Sequence, residues 1–112
     1  MDTTRQNKIN KQLQKDLSEI LSKHTKEFAA GKMLTVTRVR VTADLSLARV
    51  YISVFPSNES EQVINSLNTH MVQIRHELAQ KVRHQMRKVP ELKFFLDDSL
   101  DYIDNIDNLL KS

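Results

Sequence analysis

The chain has 112 residues, 39% of them apolar and 28% charged, a balance that excludes global disorder and suits one domain built on one core. It contains no cysteine, which excludes disulfide frameworks, thiolate zinc sites, iron–sulfur clusters and thiol catalysis. The net charge of +3 is unevenly spread: residues 1–90 carry +7 and residues 91–112 carry −4, so a basic body precedes an acidic end and a polyanionic partner is indicated.

With one glycine and two prolines, breakers are rare and therefore informative. Between Arg5 and Phe28 there is none, and Ile9, Leu13, Leu17, Ile20 and Leu21 recur at helical spacing, which predicts one helix of about six turns. Ala29-Ala30-Gly31 ends it, with Gly31 suited to the left-handed position after a helix. The segment Leu34–Thr42 is rich in β-branched residues, but its apolar phase switches between Leu34, Val36 and Val39, Val41. That switch predicts a strand with a bulge near Thr37, or one covered on both sides.

After a short connection, Ala48, Val50, Ile52 and Val54 alternate with Arg49, Tyr51, Ser53 and Phe55, the mark of a second strand in an antiparallel hairpin. Pro56-Ser57-Asn58 then opens a helical stretch, with Asn58 and Glu61 spaced as a capping box. Val63, Ile64, Leu67, Met71, Ile74, Leu78, Val82 and Met86 continue the apolar stripe. This is one helix or two sharing a joint, and the polar cluster Asn68-Thr69-His70 is where a joint is expected. Val89-Pro90 stops it. Leu92, Phe94 and Leu96 alternate as a third strand, and Asp98 or Ser99 can cap a last helix carrying Leu100, Ile103, Ile106 and Leu110. The expected architecture is α+β: a three-stranded sheet covered by helices on one face. One domain is expected over residues 1–112, with its core at about 4–96 and an acidic helical tail at 97–112.

Catalytic signatures are missing. A phosphate-binding glycine loop needs several glycines, and His24, His70, His76 and His84 have no metal spacing. Asp101, Asp104 and Asp107 read as a solvated helix face rather than general acids. A non-enzyme without cofactor or metal is expected. No apolar run approaches the roughly 20 residues of a membrane span, and Met1-Asp2-Thr3-Thr4-Arg5 lacks the apolar stretch of a signal peptide. A cytoplasmic monomer is therefore expected, with no membrane contact.

The basic residues are better organised than ordinary amphipathicity requires. Lys8, Lys11, Lys15 and Lys26 form a stripe opposite the apolar face of the first helix, with Arg5 ahead of it. From Arg75 to Lys88 there are five Arg or Lys, two His and one acid, Glu77. Arg75, His76, Lys81, Arg83, His84, Arg87 and Lys88 are accordingly expected, with Arg5, Lys8, Lys11 and Lys15, to meet phosphates. Among the aromatics only Tyr51 and Phe95 are candidates for base stacking on a sheet, and structural filler is the favoured reading of both.

The hairpin Val36-Thr-Arg-Val-Arg-Val-Thr-Ala-Asp-Leu45 with Ala48-Arg-Val-Tyr-Ile-Ser-Val54, the pair Ile74-Arg75 before Leu78, and Val89-Pro-Glu-Leu-Lys-Phe-Phe-Leu-Asp-Asp-Ser99 resemble the ribosome-binding factor A family. Arg5-Gln-Asn-Lys-Ile9 looks like the family's opening, and the likeness runs from about residue 4 to 110. The resemblance implies a KH-like fold of type II and a bacterial factor that binds the small (30S) ribosomal subunit. It further implies assistance to late maturation of the 16S ribosomal RNA, including its 5′ end, most needed in the cold. The family replaces the GXXG loop by an alanine-x-glycine kink between helices, which falls here on His70-Met71-Val72 and has neither residue. Two other readings stand beside this one: a general nucleic-acid chaperone, and a protein-interaction scaffold using the acidic C-terminal helix.

Overall fold

A computed structural model of the protein describes residues 3–97. Helix α1 (Thr4–Lys23) opens with a capping box: the Thr3 hydroxyl accepts from the Gln6 backbone N–H while the Gln6 side chain accepts from the Thr3 N–H, satisfying two donors that a helix start leaves unpaired. The predicted single helix is in fact two. The chain turns at His24 (φ −115°, ψ 20°) before a short α2 (Thr25–Ala29). The turn carries Phe28 into the core and against the ring of His70, 4.7 Å between centroids. Ala30 and Gly31 both adopt positive φ, 53° and 81°, so the left-handed exit from the helix begins one residue before the glycine.

Strands β1 (Met33–Val41) and β2 (Leu47–Phe55) pair antiparallel, with a register shift between Val36 and Arg38. This bulge explains the phase switch: by adding one residue it keeps Val36, Val39 and Val41 on the same buried face. Ala48, Val50, Ile52 and Val54 lie buried beside them. Strand β3 (Glu91–Leu96) runs parallel to β2, so the sheet order is β1-β2-β3. A parallel pairing requires a crossover, and two helices provide it.

These helices are α3 (Ser60–Thr69) and α4 (Met71–Val82), separated at His70 (φ −96°, ψ 16°). At the joint two side chains bond back to the preceding turn of α3: the Thr69 hydroxyl donates to Asn65 O, and the Nδ1 of His70 lies 2.7 Å from Ser66 O. Asn68 bridges helix to sheet, donating to Phe94 O and accepting from Phe94 N–H. The capping box expected at Asn58 does not form. Glu59 precedes α3 in the left-handed region without a side-chain cap, and Lys32 Nζ reaches the Asn58 carbonyl instead.

Nor does the helix run to Pro90. It ends at Val82, whose carbonyl accepts from both Gln85 N–H and Met86 N–H at 2.8 Å, and residues 83–90 form turns. The order α-β-β-α-α-β, with the first helix broken once, is the type II KH-like arrangement. Leu13, Leu17 and Ile20 of α1, Leu67 of α3, and Ile74, Leu78 and Val82 of α4 close over one face of the sheet. The last helix expected from Ser99 lies outside the described residues.

Sheet edges are reactive, because their backbone groups lack partners on one side. Three amide side chains of α1 meet the free edge of β1. Gln6 Nε2 donates to Val41 O (3.1 Å), the Asn10 side-chain carbonyl accepts from Val41 N–H (2.9 Å), and Gln14 Nε2 donates to Val36 O (3.0 Å). Their four-residue spacing puts them on one side of the helix. This seam, with the apolar stripe, fixes the α1 N-terminus next to the β1–β2 loop.

Candidate nucleic-acid interface

The loop joining β1 to β2 is organised around Asp44. Its carboxylate accepts from the Thr42 hydroxyl (2.7 Å), the Ser46 hydroxyl (2.7 Å) and the Ser46 N–H (3.1 Å). Those bonds, the Thr42 hydroxyl foremost, lower its pKa from 3.8 to about 2. Leu45 follows with φ 60°, and its N–H closes the turn on Thr42 O. The loop therefore presents a fixed edge, with Ser46 O accepting from Glu91 N–H at the start of β3.

Between that loop, the first turns of α1 and the turns after α4 lies a cleft of about 550 Å³. Arg5, Lys8 and Ile9 line it from α1, Asp44 and Leu45 from the loop, and Gln85, Met86, Arg87 and Lys88 from the third side. Four cations face one carboxylate. A shallower cleft of about 440 Å³ adjoins it, lined by Val72, Arg75, His76 and Ala79 of α4 together with Arg87, Lys88 and Val89. Arg87 and Lys88 thus form a ridge between two depressions, and both are exposed.

The cations singled out from the sequence separate into groups here. Arg5, Lys8, Arg87 and Lys88 converge on the cleft, although some 80 residues part the two pairs. Lys11 and Lys15 are exposed farther along α1 and do not line it. Lys26 leaves their stripe altogether, because the break at His24 places it on α2. Arg83, His84, Arg87 and Lys88 do not share a helix face, since α4 ends before them; Arg83 Nε instead donates to His84 Nε2.

Two further residues hold the protein together. Arg75 donates from Nη2 to Val89 O (2.6 Å) and from Nε to Val89 O and Pro90 O (3.2 Å each), so it pins the segment that carries Arg87 and Lys88. Lys81 pairs with Glu19 of α1 at 2.6 Å. That bond keeps the Glu19 carboxyl below, and the Lys81 ammonium above, its ordinary range. Glu77, the acid that interrupts the basic run, pairs with His24 at 3.0 Å. Arg75 and Lys81, expected from the sequence to meet phosphates, have protein partners in other elements or beyond the end of the helix, where the local pattern does not reach.

Sequence reasoning passed over the basic residues of the strands. Arg38, Arg40, Arg49 and Lys93 point away from the helices, on the face where Tyr51 and Phe95 stack. The alternation in β2 already placed Arg49 and Tyr51 on one face; their neighbours on β1 and β3 needed the register.

Comparison with known proteins gives the following. The family model described as ribosome-binding factor A matches residues 5–110. The ribosome-binding factor A of Christiangramia forsetii is 50% identical over 111 residues, covering 98% of this chain and 85% of the relative. The crystal structure of ribosome-binding factor A from Thermus thermophilus superposes with a TM-score of 0.70 at 27% identity, covering 81% of this chain and 94% of that one. Coordinates for the Thermus thermophilus factor fitted into a cryo-EM map of its complex with the 30S subunit match with a TM-score of 0.60 at 29% identity, over 80% of this chain and 91% of that one.

Proposed function

The chain belongs to the ribosome-binding factor A family, and we propose that it binds the small ribosomal subunit through the cleft lined by Arg5, Lys8, Arg87 and Lys88. The observation that carries this reading is the convergence of those four cations from opposite ends of the folded chain. A cluster of cations on a rigid edge suits phosphates held at fixed positions, as in folded RNA, better than a freely moving strand. The chemistry is that of binding: Asp44 is held ionised at neutral pH, and the cleft sets no paired acid and base against a nucleophile. His76 lines the adjoining depression, Arg83 and His84 stand exposed in the turn between α4 and the ridge, and Lys11 and Lys15 extend the positive surface along α1. The bound factor assists late maturation of the small subunit, including processing of the 16S ribosomal RNA at its 5′ end.

The test is co-sedimentation of the Arg87→Glu/Lys88→Glu variant with small subunits. Both side chains are exposed, so the fold is expected to melt as the wild type does. Binding is expected to be strongly weakened, because the change reverses two of the four charges. For the wild type, log affinity should fall linearly with log salt, by roughly 0.7–0.9 per phosphate contacted. Wild-type co-sedimentation by the folded double variant refutes the cleft assignment. Equal binding to large subunits would favour a general RNA chaperone.

A further inference from the structure

Among the described residues, the helices pack on one face of the sheet only, and the other face carries cations and aromatics in register. Arg40, Arg49 and Lys93 are partners across the three strands, and the next row is Arg38, Tyr51 and Phe95. Same-face neighbours lie about 7 Å apart along a strand, and adjacent strands about 4.8 Å apart, so the two rows form one small patch. The Tyr51 and Phe95 rings stack at 5.5 Å with 25° between their planes, and the Lys93 ammonium sits 5.4 Å from the centre of the Phe95 ring. All four cations are exposed, and both rings are half-buried.

Folding does not call for this arrangement. Like charges directly opposite one another on neighbouring strands are destabilising, and Arg49 stands between two such partners. Of the described acids on or beside β3, Glu91 and Asp97, neither falls within the two rows. Glu91 lies one row before them, opposite Leu47, and Asp97 lies beyond them, accepting from the Thr37 hydroxyl. A partner that suits the patch must be anionic and must also offer flat π faces to the rings. Duplex RNA has the charge but keeps its bases paired inside, and an acidic peptide has the charge without the stacking surface. Unpaired RNA has both.

We infer that this face binds single-stranded RNA, one base extending the Tyr51–Phe95 stack and the neighbouring phosphates meeting Arg38, Arg49 and Lys93. The surface is separate from the Arg5–Lys88 cleft, and the inference holds or fails independently of the cleft's partner. It gives the protein two ways of holding RNA: a cleft for folded backbone, and a sheet for a segment without a complement. Its sequence preference is weak, since every base has a π face.

The experiment is fluorescence anisotropy of the full chain with a labelled eight-nucleotide RNA of mixed sequence, alone and annealed to its complement. The wild type is expected to bind the single strand more tightly than the duplex. Tyr51→Leu/Phe95→Leu, which keeps apolar bulk on the strands, should weaken single-strand binding on the order of tenfold and leave duplex binding unchanged. Tyr51→Phe, which keeps the ring, should bind as the wild type does, separating stacking from mere structural support. Arg49→Gln/Lys93→Gln should lower the salt slope by roughly 1.4. Arg87→Glu/Lys88→Glu should keep the single-strand preference even where it loses the small subunit. Undiminished binding by a folded Tyr51→Leu/Phe95→Leu variant overturns the inference. So does a folded Arg87→Glu/Lys88→Glu variant, with the cleft disabled, that binds duplex as tightly as single strand. No saturable binding at all overturns it as well.

Discussion

Arg75 is the residue whose replacement best separates holding the cleft together from touching RNA. Its guanidinium makes three contacts to two carbonyls, Val89 O at 2.6 and 3.2 Å and Pro90 O at 3.2 Å. Pro90 is buried and Val89 half-buried, so Arg75→Met leaves at least one acceptor poorly hydrated while retaining the apolar stem. Hydrogen bonds from a charged group contribute about 1.5–3 kcal/mol each. Water can reach the half-exposed side and replace part of this, which leaves a loss of about 2 kcal/mol. For a domain of this size the midpoint of thermal unfolding should fall by roughly 8–12 °C. The loss should concentrate in residues 83–90, which have no helix of their own, and their amide exchange should speed up by about thirtyfold. Small-subunit binding should weaken with it, because the ridge of Arg87 and Lys88 loses its anchor. The assays are a thermal melt, hydrogen exchange and co-sedimentation on one sample of variant. Lost subunit binding with melt and exchange unchanged would refute the reasoning and make Arg75 a direct phosphate contact.

Lys81→Met should leave small-subunit affinity unchanged, because Lys81 is engaged by Glu19. The same variant should raise the pH at which Glu19 titrates, since the Lys81 hydrogen bond is the chief cause of its lowered pKa; carboxyl NMR reads the shift. Asp44 should titrate near pH 2 rather than 3.8. Its folded value lies below its unfolded one, so its contribution to the hairpin loop is complete above about pH 3.8 and is lost as the pH falls toward 2. An Asp44 midpoint at the ordinary carboxylate value would show that the Thr42 and Ser46 bonds do not hold in solution.

Much of the fold was legible because its determinants are local. A strand with one covered face must alternate, so β2 could be read residue by residue, and an inserted residue had to announce itself as the phase switch in β1. The polar cluster Asn68-Thr69-His70 marked the joint of α3 and α4 without the alanine or glycine of the family's kink. His70 and Phe28, in ring contact, fill that corner instead. Where sequence reasoning erred, the deciding contact was distant. Nothing in the local pattern breaks α1 at His24; the turn is made where Phe28 enters the core and Glu77 of α4 reaches the imidazole. The apolar stripe continues past Val82, yet Met86 packs against the core from a turn.

The candidate site divides in the same way. Composition and spacing sufficed to identify a basic body and the chain segments that carry its charge, because a count of charges needs no coordinates. Only the tertiary structure decided which cations meet. It joined Arg5 and Lys8 to Arg87 and Lys88, committed Arg75 to two carbonyls and Lys81 to Glu19, and set Arg49 and Tyr51 beside Lys93 and Phe95. An amphipathic pattern tells which side of an element faces water, but not which other element shares that water. Partner choice depends on register, on crossovers and on where helices end, and those are settled by burying the core as a whole.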